Sequence, residues 1–223
     1  YIPGTKRRAV VKFGQGFGEN HRRYLHMITR VMEAGFVGCA DDHAAHGKTA
    51  LDNNNTWWDG GDKGSMTYIE DEHTFRGIVT KDYKDLPYFM FGHSWGSMIA
   101  REYLTHHAEG VSGAIICGTV GMRPEVTSVM DKAAAMIKDG KGNTRDGALL
   151  AELLGNFHNS YENVVSAGDW IALDQGVVQD HAADPFNSFD PPTAYFMYDF
   201  TELWAKVCTK EWAAKMPKNT PLY

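Results

Sequence analysis

Gly92-His93-Ser94-Trp95-Gly96 is the stretch of this sequence whose residue types and spacing could do covalent chemistry. A serine hydroxyl is a weak nucleophile, so an enzyme that uses one must expose it, supply a base, and place donors where an oxyanion forms. Gly-x-Ser-x-Gly meets the first need when it joins a strand to a helix. The turn then holds the serine in a strained conformation, and the flanking glycines let neighbouring backbones approach. Tyr88 to Phe91 reads as the strand and Ser97 to His106 as the helix, which makes Ser94 the candidate nucleophile in an elbow formed by Gly92, His93 and Gly96. Adjacent residues at a sharp elbow point apart, so His93 is assigned a packing role rather than that of the base. The competing reading is a glycine turn whose serine only caps the helix. Oxyanion donors are expected from the backbone N–H of Trp95, directly after the serine, and from the Phe17 N–H in the glycine-rich loop Gly14-Gln15-Gly16-Phe17-Gly18-Glu19.

The elements that must position these groups follow from apolar patterning. Ala9 to Phe13 is a buried-strand run that ends in glycines; Tyr24, Ile28, Val31 and Met32 recur at helical spacing until Gly35; Phe36 to Ala40 is a second strand run. A polar Gly/Asn-rich loop, 52–65, leads to a helix around 69–80, then to the strand before Ser94, the helix after it, and a fourth strand over Gly113 to Cys117. His106 and His107, near a helix end, are expected to meet its last carbonyls. This alternation predicts an α/β fold with a mostly parallel sheet flanked by helices. After Gly121 the rhythm changes: Val126, Val129, Met130, Ala133 and Ile137 form one helical stripe and Leu149 to Leu154 another, with no strand between. The expected division is a core over 1–120, a helical cap over 121–193, and a return to the core over 194–223. The last part holds a helix over roughly 194–215, and residues 220–223 open a further strand.

Composition narrows the partners. Of 223 residues, 43% are hydrophobic and 22% charged, enough for one substantial core, and the net charge of −6 leaves no basic surface for nucleic acid. Cys39, Cys117 and Cys208 read as buried free thiols; their odd number argues against a disulfide framework and favours a cytoplasmic setting. No apolar run approaches the roughly 20 residues that cross a bilayer.

Taken together these motifs resemble the α/β-hydrolases grouped as monoacylglycerol lipases, lysophospholipases and S33 serine aminopeptidases. Gln15-Gly16-Phe17-Gly18-Glu19 with Arg23-Tyr24 is similar to the family's His-Gly-x-x-Glu and Arg-Tyr, with Gln15 in place of His. Asp42-His43-Ala44-Ala45-His46-Gly47 is similar to Asp-His-Arg-Gly-His-Gly, with Ala44-Ala45 in place of Arg-Gly. Gly92 to Ser97, Gly118-Thr119 and a cap containing Ala183-Asp184-Pro185 also fit. The resemblance implies an acyl-enzyme on Ser94 and cleavage of medium- or long-chain carboxylic esters, monoacylglycerol or lysophospholipid in type, with no metal or organic cofactor. It implies a small-molecule or lipid ester as partner and allows transient contact of the cap with a membrane surface. In the family's chain order an acid and then a histidine follow the serine, so both are expected beyond Tyr223, and these residues alone are expected to be catalytically crippled.

Two other classes stay open at this point. Gly14-x-Gly16-x-Gly18 after a strand, with Asp41-Asp42 ending the next, has the outline of a Rossmann-type nucleotide site of an oxidoreductase, although Glu19 stands where pyrophosphate would meet repulsion. A non-catalytic hydrolase-fold binding protein is the other. His43-x-x-His46 beside Asp41 and Asp42 is read as loop bracing rather than as a metal site.

Overall fold

The computed structural model describes residues 1–4, 6–56, 60–187 and 191–223. Four strands, β1 (Val10–Gly14), β2 (Val37–Ala40), β3 (Tyr88–His93) and β4 (Val111–Cys117), form one parallel sheet in the order β2-β1-β3-β4. The chain leaves β1 toward β2 and returns on the opposite side to make β3. The crevice beyond the ends of β1 and β3 is thus the topological switch point where such sheets bind ligands. Both the glycine-rich loop and Ser94 emerge there.

Alternation along β1 sends side chains to two cores. Val11 and Phe13 join Tyr24, Ile28 and Phe91 beneath helix α1 (Leu25–Glu33), while Val10 and Met90 face the larger core. That larger core is covered by α3 (Met66–Asp82), α4 (Trp95–His107) and α8 (Ala194–Val207). Between β2 and α3 lies a short helix, α2 (Gly47–Asp52), which the apolar pattern does not announce and which ends at Asp52, where the expected loop begins.

Within 121–193 the chain forms α5 (Pro124–Lys138), α6 (Gly147–Leu154) and α7 (Gln175–Ala183). The apolar stripe of α5 packs against α8, and Val126, Val129 and Ala133 are fully buried in the main core. The Trp204 indole N–H donates to the Gly121 carbonyl at 2.9 Å. A single helix is expected over 194–215, but α8 stops at Val207 and α9 (Lys210–Ala213) starts anew, because the Thr209 hydroxyl accepts the Trp212 N–H at 3.0 Å as an N-cap. Residues 221–223 lie parallel to β4, with the Ile116 N–H on the Tyr223 carbonyl at 2.7 Å.

Two further expectations need correction. The carbonyls of His107 and Glu109 at the end of α4 receive the Arg76 guanidinium, whereas His106 pairs with Glu102 and His107 with Glu70. Arg76 of α3 lies across that helix end, so carbonyls and imidazoles find separate partners. The three cysteines are all free but none is fully buried: Cys39 and Cys208 are half-buried, and Cys117, the final residue of β4, is exposed. No helix among the described residues is long and apolar enough to cross a membrane.

Leu203 is fully buried in α8. Leu203→Ala is expected to lower the unfolding free energy by about 2–5 kcal/mol, read from urea denaturation; a loss below about 1 kcal/mol would show that α8 does not anchor the core.

Candidate active site

Ser94 has φ 50° and ψ −114°, a conformation L-residues avoid and one that the surroundings must impose. The surroundings are backbone. A β-carbon on Gly92 would lie 2.3 Å from the Gly96 carbonyl oxygen, and one on Gly96 would lie 2.6 Å from that of Gly14. The Ser94 N–H donates to the Cys117 carbonyl at 2.9 Å, tying the elbow to the end of β4. Ser97 Oγ donates to the Ser94 carbonyl. Trp95 is the first residue of α4, so its N–H has no acceptor within the helix and sits at the positive end of the helix dipole.

The loop after β1 is held by its own side chains. Glu19 accepts from the Gly16 N–H at 3.0 Å, from the Tyr24 hydroxyl at 2.6 Å and from Arg23 Nε at 3.2 Å, and Gln15 Nε2 donates to the Glu19 carbonyl at 3.0 Å. Burial works against the Glu19 charge, but hydrogen bonds from His93 and Tyr24 hold the carboxyl down to about 2. His93 lies 2.8 Å from the Tyr24 hydroxyl and 3.4 Å from Glu19, so its Nδ1 is committed behind the elbow. Tyr24, which the sequence presents as part of an apolar helical face and of the Arg23-Tyr24 motif, is the hub of this network. The Gly16 N–H that a pyrophosphate would need is already given to Glu19, which removes the physical basis of the nucleotide reading.

Ser94, Phe17, His93 and Gly118 open onto a cleft of 230 Å³ whose far wall is apolar, with Leu154, Ile171 and Trp204. A second cavity of 520 Å³, within the segment 147–191, shares Leu154, Trp170, Ile171 and His181 with it. Phe17 is 7% exposed, and its ring packs at a tilt against Phe200 with 4.8 Å between centroids. The Trp95 indole lies away from the cleft, against His46 at 4.7 Å and edge-on to His43 at 5.3 Å.

Beneath the loop lies a charge cluster. Lys12, 1% exposed, places Nζ 3.1 Å from Asp41 Oδ1 and hydrogen-bonds Glu72. The sequence marks Lys12 only as a lysine inside an apolar strand run. Burial and the Asp41 charge push Glu72 up to about 7, while burial pushes His43 down to about 4 and His46 to about 3. Ligand atoms of Asp41, His43 and Glu72 lie within 4.8 Å of one another, but the Lys12 ammonium already bridges the two carboxylates, so a divalent cation would face a fixed positive charge and the set does not fit a metal. His46 meets the Ala44 carbonyl at 3.1 Å, within its own loop.

The serine aminopeptidase S33 family matches residues 5–218 of the chain. A carboxyl esterase from Bacillus coagulans, solved with glycerol, superposes with a TM-score of 0.95 at 49% identity over 100% of this chain and 72% of that one. A lipase in an open form superposes at 0.88 with 33% identity, over 100% and 73%. A monoacylglycerol lipase from Mycolicibacterium smegmatis is 30% identical over 53% of this chain and 40% of its own length, so the chain spans less than half of this curated relative. Human monoglyceride lipase is 29% identical over 42% of the chain and 29% of its own length. With its parallel sheet and its strained serine between β3 and α4, the chain belongs to the S33 serine aminopeptidase family of α/β-hydrolases.

Proposed function

We propose that the protein hydrolyses carboxylic esters of medium or long acyl chains, of the monoacylglycerol or lysophospholipid type, with Ser94 as the nucleophile. The observation that carries this reading is the strained Ser94 at the mouth of an apolar cleft, facing a loop whose backbone is fixed by buried hydrogen bonds. Ser94 Oγ attacks the acyl carbon, and the Phe17 and Trp95 N–H groups receive the oxyanion. The alcohol leaves with a proton, and water then cleaves the acyl-enzyme. His93 is engaged by Tyr24 and Glu19 and is not free to take the proton, so the acceptor is assigned to another histidine, which by the family's chain order follows Ser94 after an acid that orients it.

Ester rather than peptide substrates are favoured by the charge of the cleft. An aminopeptidase needs a carboxylate for the substrate amine, and Glu19, the acidic residue that lines the cleft, is consumed by Gly16, Tyr24 and Arg23. Residues 121–193 act as the cap. Its exposed Val165 and Leu173, 79% and 90% accessible, support transient contact with a lipid surface.

Fluorophosphonate labelling followed by peptide mass mapping is expected to place the adduct on Ser94 in the full-length protein. Ser94→Ala should abolish both the adduct and p-nitrophenyl ester turnover with the fold retained; turnover within a few-fold of the parent would refute the assignment.

The acyl chain is placed along Ile171, where the two cavities share a wall. Ile171→Trp should reduce kcat/KM for a twelve-carbon ester by about tenfold or more, since each buried methylene contributes about 0.8 kcal/mol, and should leave a four-carbon ester within a few-fold. Equal effects on both chain lengths would place the acyl chain elsewhere.

A further inference from the structure

We propose that Lys12 is a positioning residue for the Ser94 site: its buried ammonium clamps Asp41 and Glu72, and these hold His43 against both chain segments that supply the oxyanion donors. The proposal rests on the reading of Ser94 as nucleophile with Phe17 and Trp95 as donors.

A lysine in a central parallel strand covered on both faces is expensive. Burying an ion costs several kcal/mol even after relaxation, and buried ion pairs can be exchanged for apolar residues at little or no loss of stability. Stability alone therefore does not explain Lys12, and its placement offers another reason. Its two carboxylates come from separate elements: Asp41 directly follows β2, and Glu72 lies in the first half of α3. One ammonium thus fixes the end of β2 relative to α3. Above it, Nζ is only 3.5 Å from where a Gly14 β-carbon would lie, so the charge sits directly under the turn that leads to Phe17.

His43 carries the constraint upward. Its Nδ1 lies 3.5 Å from Glu72 Oε1 and 3.9 Å from Asp41 Oδ2, its ring is 4% exposed, and it touches the Gln15 backbone on one side and the Trp95 indole on another. Gln15 belongs to the Phe17 loop, and Trp95 is the donor residue itself. Both N–H groups are therefore referenced to one rigid body, which is what a preorganised oxyanion hole needs, since misplacement by about 1 Å can cost about 100-fold in rate. Being buried and held neutral, His43 transmits position without adding a second charge.

The test compares the full-length parent with Lys12→Met, Lys12→Arg and Lys12→Met/Glu72→Gln. The readouts are kcat and KM for p-nitrophenyl butyrate, the inhibition constant of a trifluoromethyl ketone, and near-UV circular dichroism for fold. Lys12→Met and the double variant are expected to lose about 10- to 100-fold in kcat, with KM within about twofold, and ketone affinity should fall in parallel with kcat/KM. Lys12→Arg should recover part of the loss. Folded variants with parental kcat and ketone affinity would overturn the proposal, as would a loss confined to KM. If Lys12→Met and the double variant do not fold, Glu72→Gln alone is measured; it leaves Lys12 paired with Asp41 and should show the same split at smaller size, and parental kcat would again overturn the proposal. Failure of the underlying reading looks different: the parent itself would take no fluorophosphonate on Ser94.

Discussion

The site depends on a crossing of three backbones at the end of β3. Gly92 and Gly96 bring the strand, the helix and the backbone of Gly14 and Gln15 closer together than any side chain would allow, and Ser94 is held at positive φ there. Such strain persists only where the neighbours over-determine it. Here they do: the Ser94 N–H is taken by Cys117 of β4, its carbonyl receives Ser97, and α4 is buried against the sheet along most of its length. The same crossing places the first N–H of α4 beside the loop after β1, so the strain that exposes the hydroxyl also brings a donor to the site.

Electrostatics divides the surroundings into two buried networks of opposite style. Behind the elbow, Glu19 stays ionised by collecting donors from Gly16, Tyr24 and Arg23, with the His93 ring beside it. Under the loop, Lys12 meets two carboxylates, and burial shifts the strain onto Glu72, whose carboxyl rises to about 7. The first network satisfies one acid with several separate donors; the second holds two acids with one cation. Both act on the segment between Gly14 and Glu19, from opposite faces of the sheet. That segment is thereby held without regular secondary structure of its own.

What was legible in the sequence follows from the range of the forces involved. The strand-glycine-helix rhythm, the elbow and the loop after β1 are local, and the sequence presents each of them. Boundaries moved where a side chain caps a turn: Thr209 restarts a helix that apolar spacing would continue, and Asp174 starts α7, whose Gly176 and His181 hide its helical character. Lys12 was illegible for a different reason. Its partner Glu72 lies 60 residues away, and only the pairing of β1 with β2 and the packing of α3 bring the carboxylates to it. The placement of Cys117 and the capping of α4 by Arg76 depend on tertiary neighbours in the same way.

The segment 121–193, proposed as the cap, is less separable than its place in the chain implies. The stripe of α5 that marks a change of rhythm in the sequence is buried against α8 and shares the main core with Leu149 and Leu153 of α6, whereas α7, Leu150 and Leu154 of α6 and the segment between the two helices line the 520 Å³ cavity. Residues 121–193 therefore contain a root that belongs to the fold and a roof that belongs to the pocket. Because Leu154 and Ile171 face both cavities, the roof contributes to the wall of the Ser94 cleft without contributing to the elbow. Changes in the roof therefore reshape the cavity while the geometry at Ser94, fixed by the close contacts of Gly92 and Gly96, stays as it is.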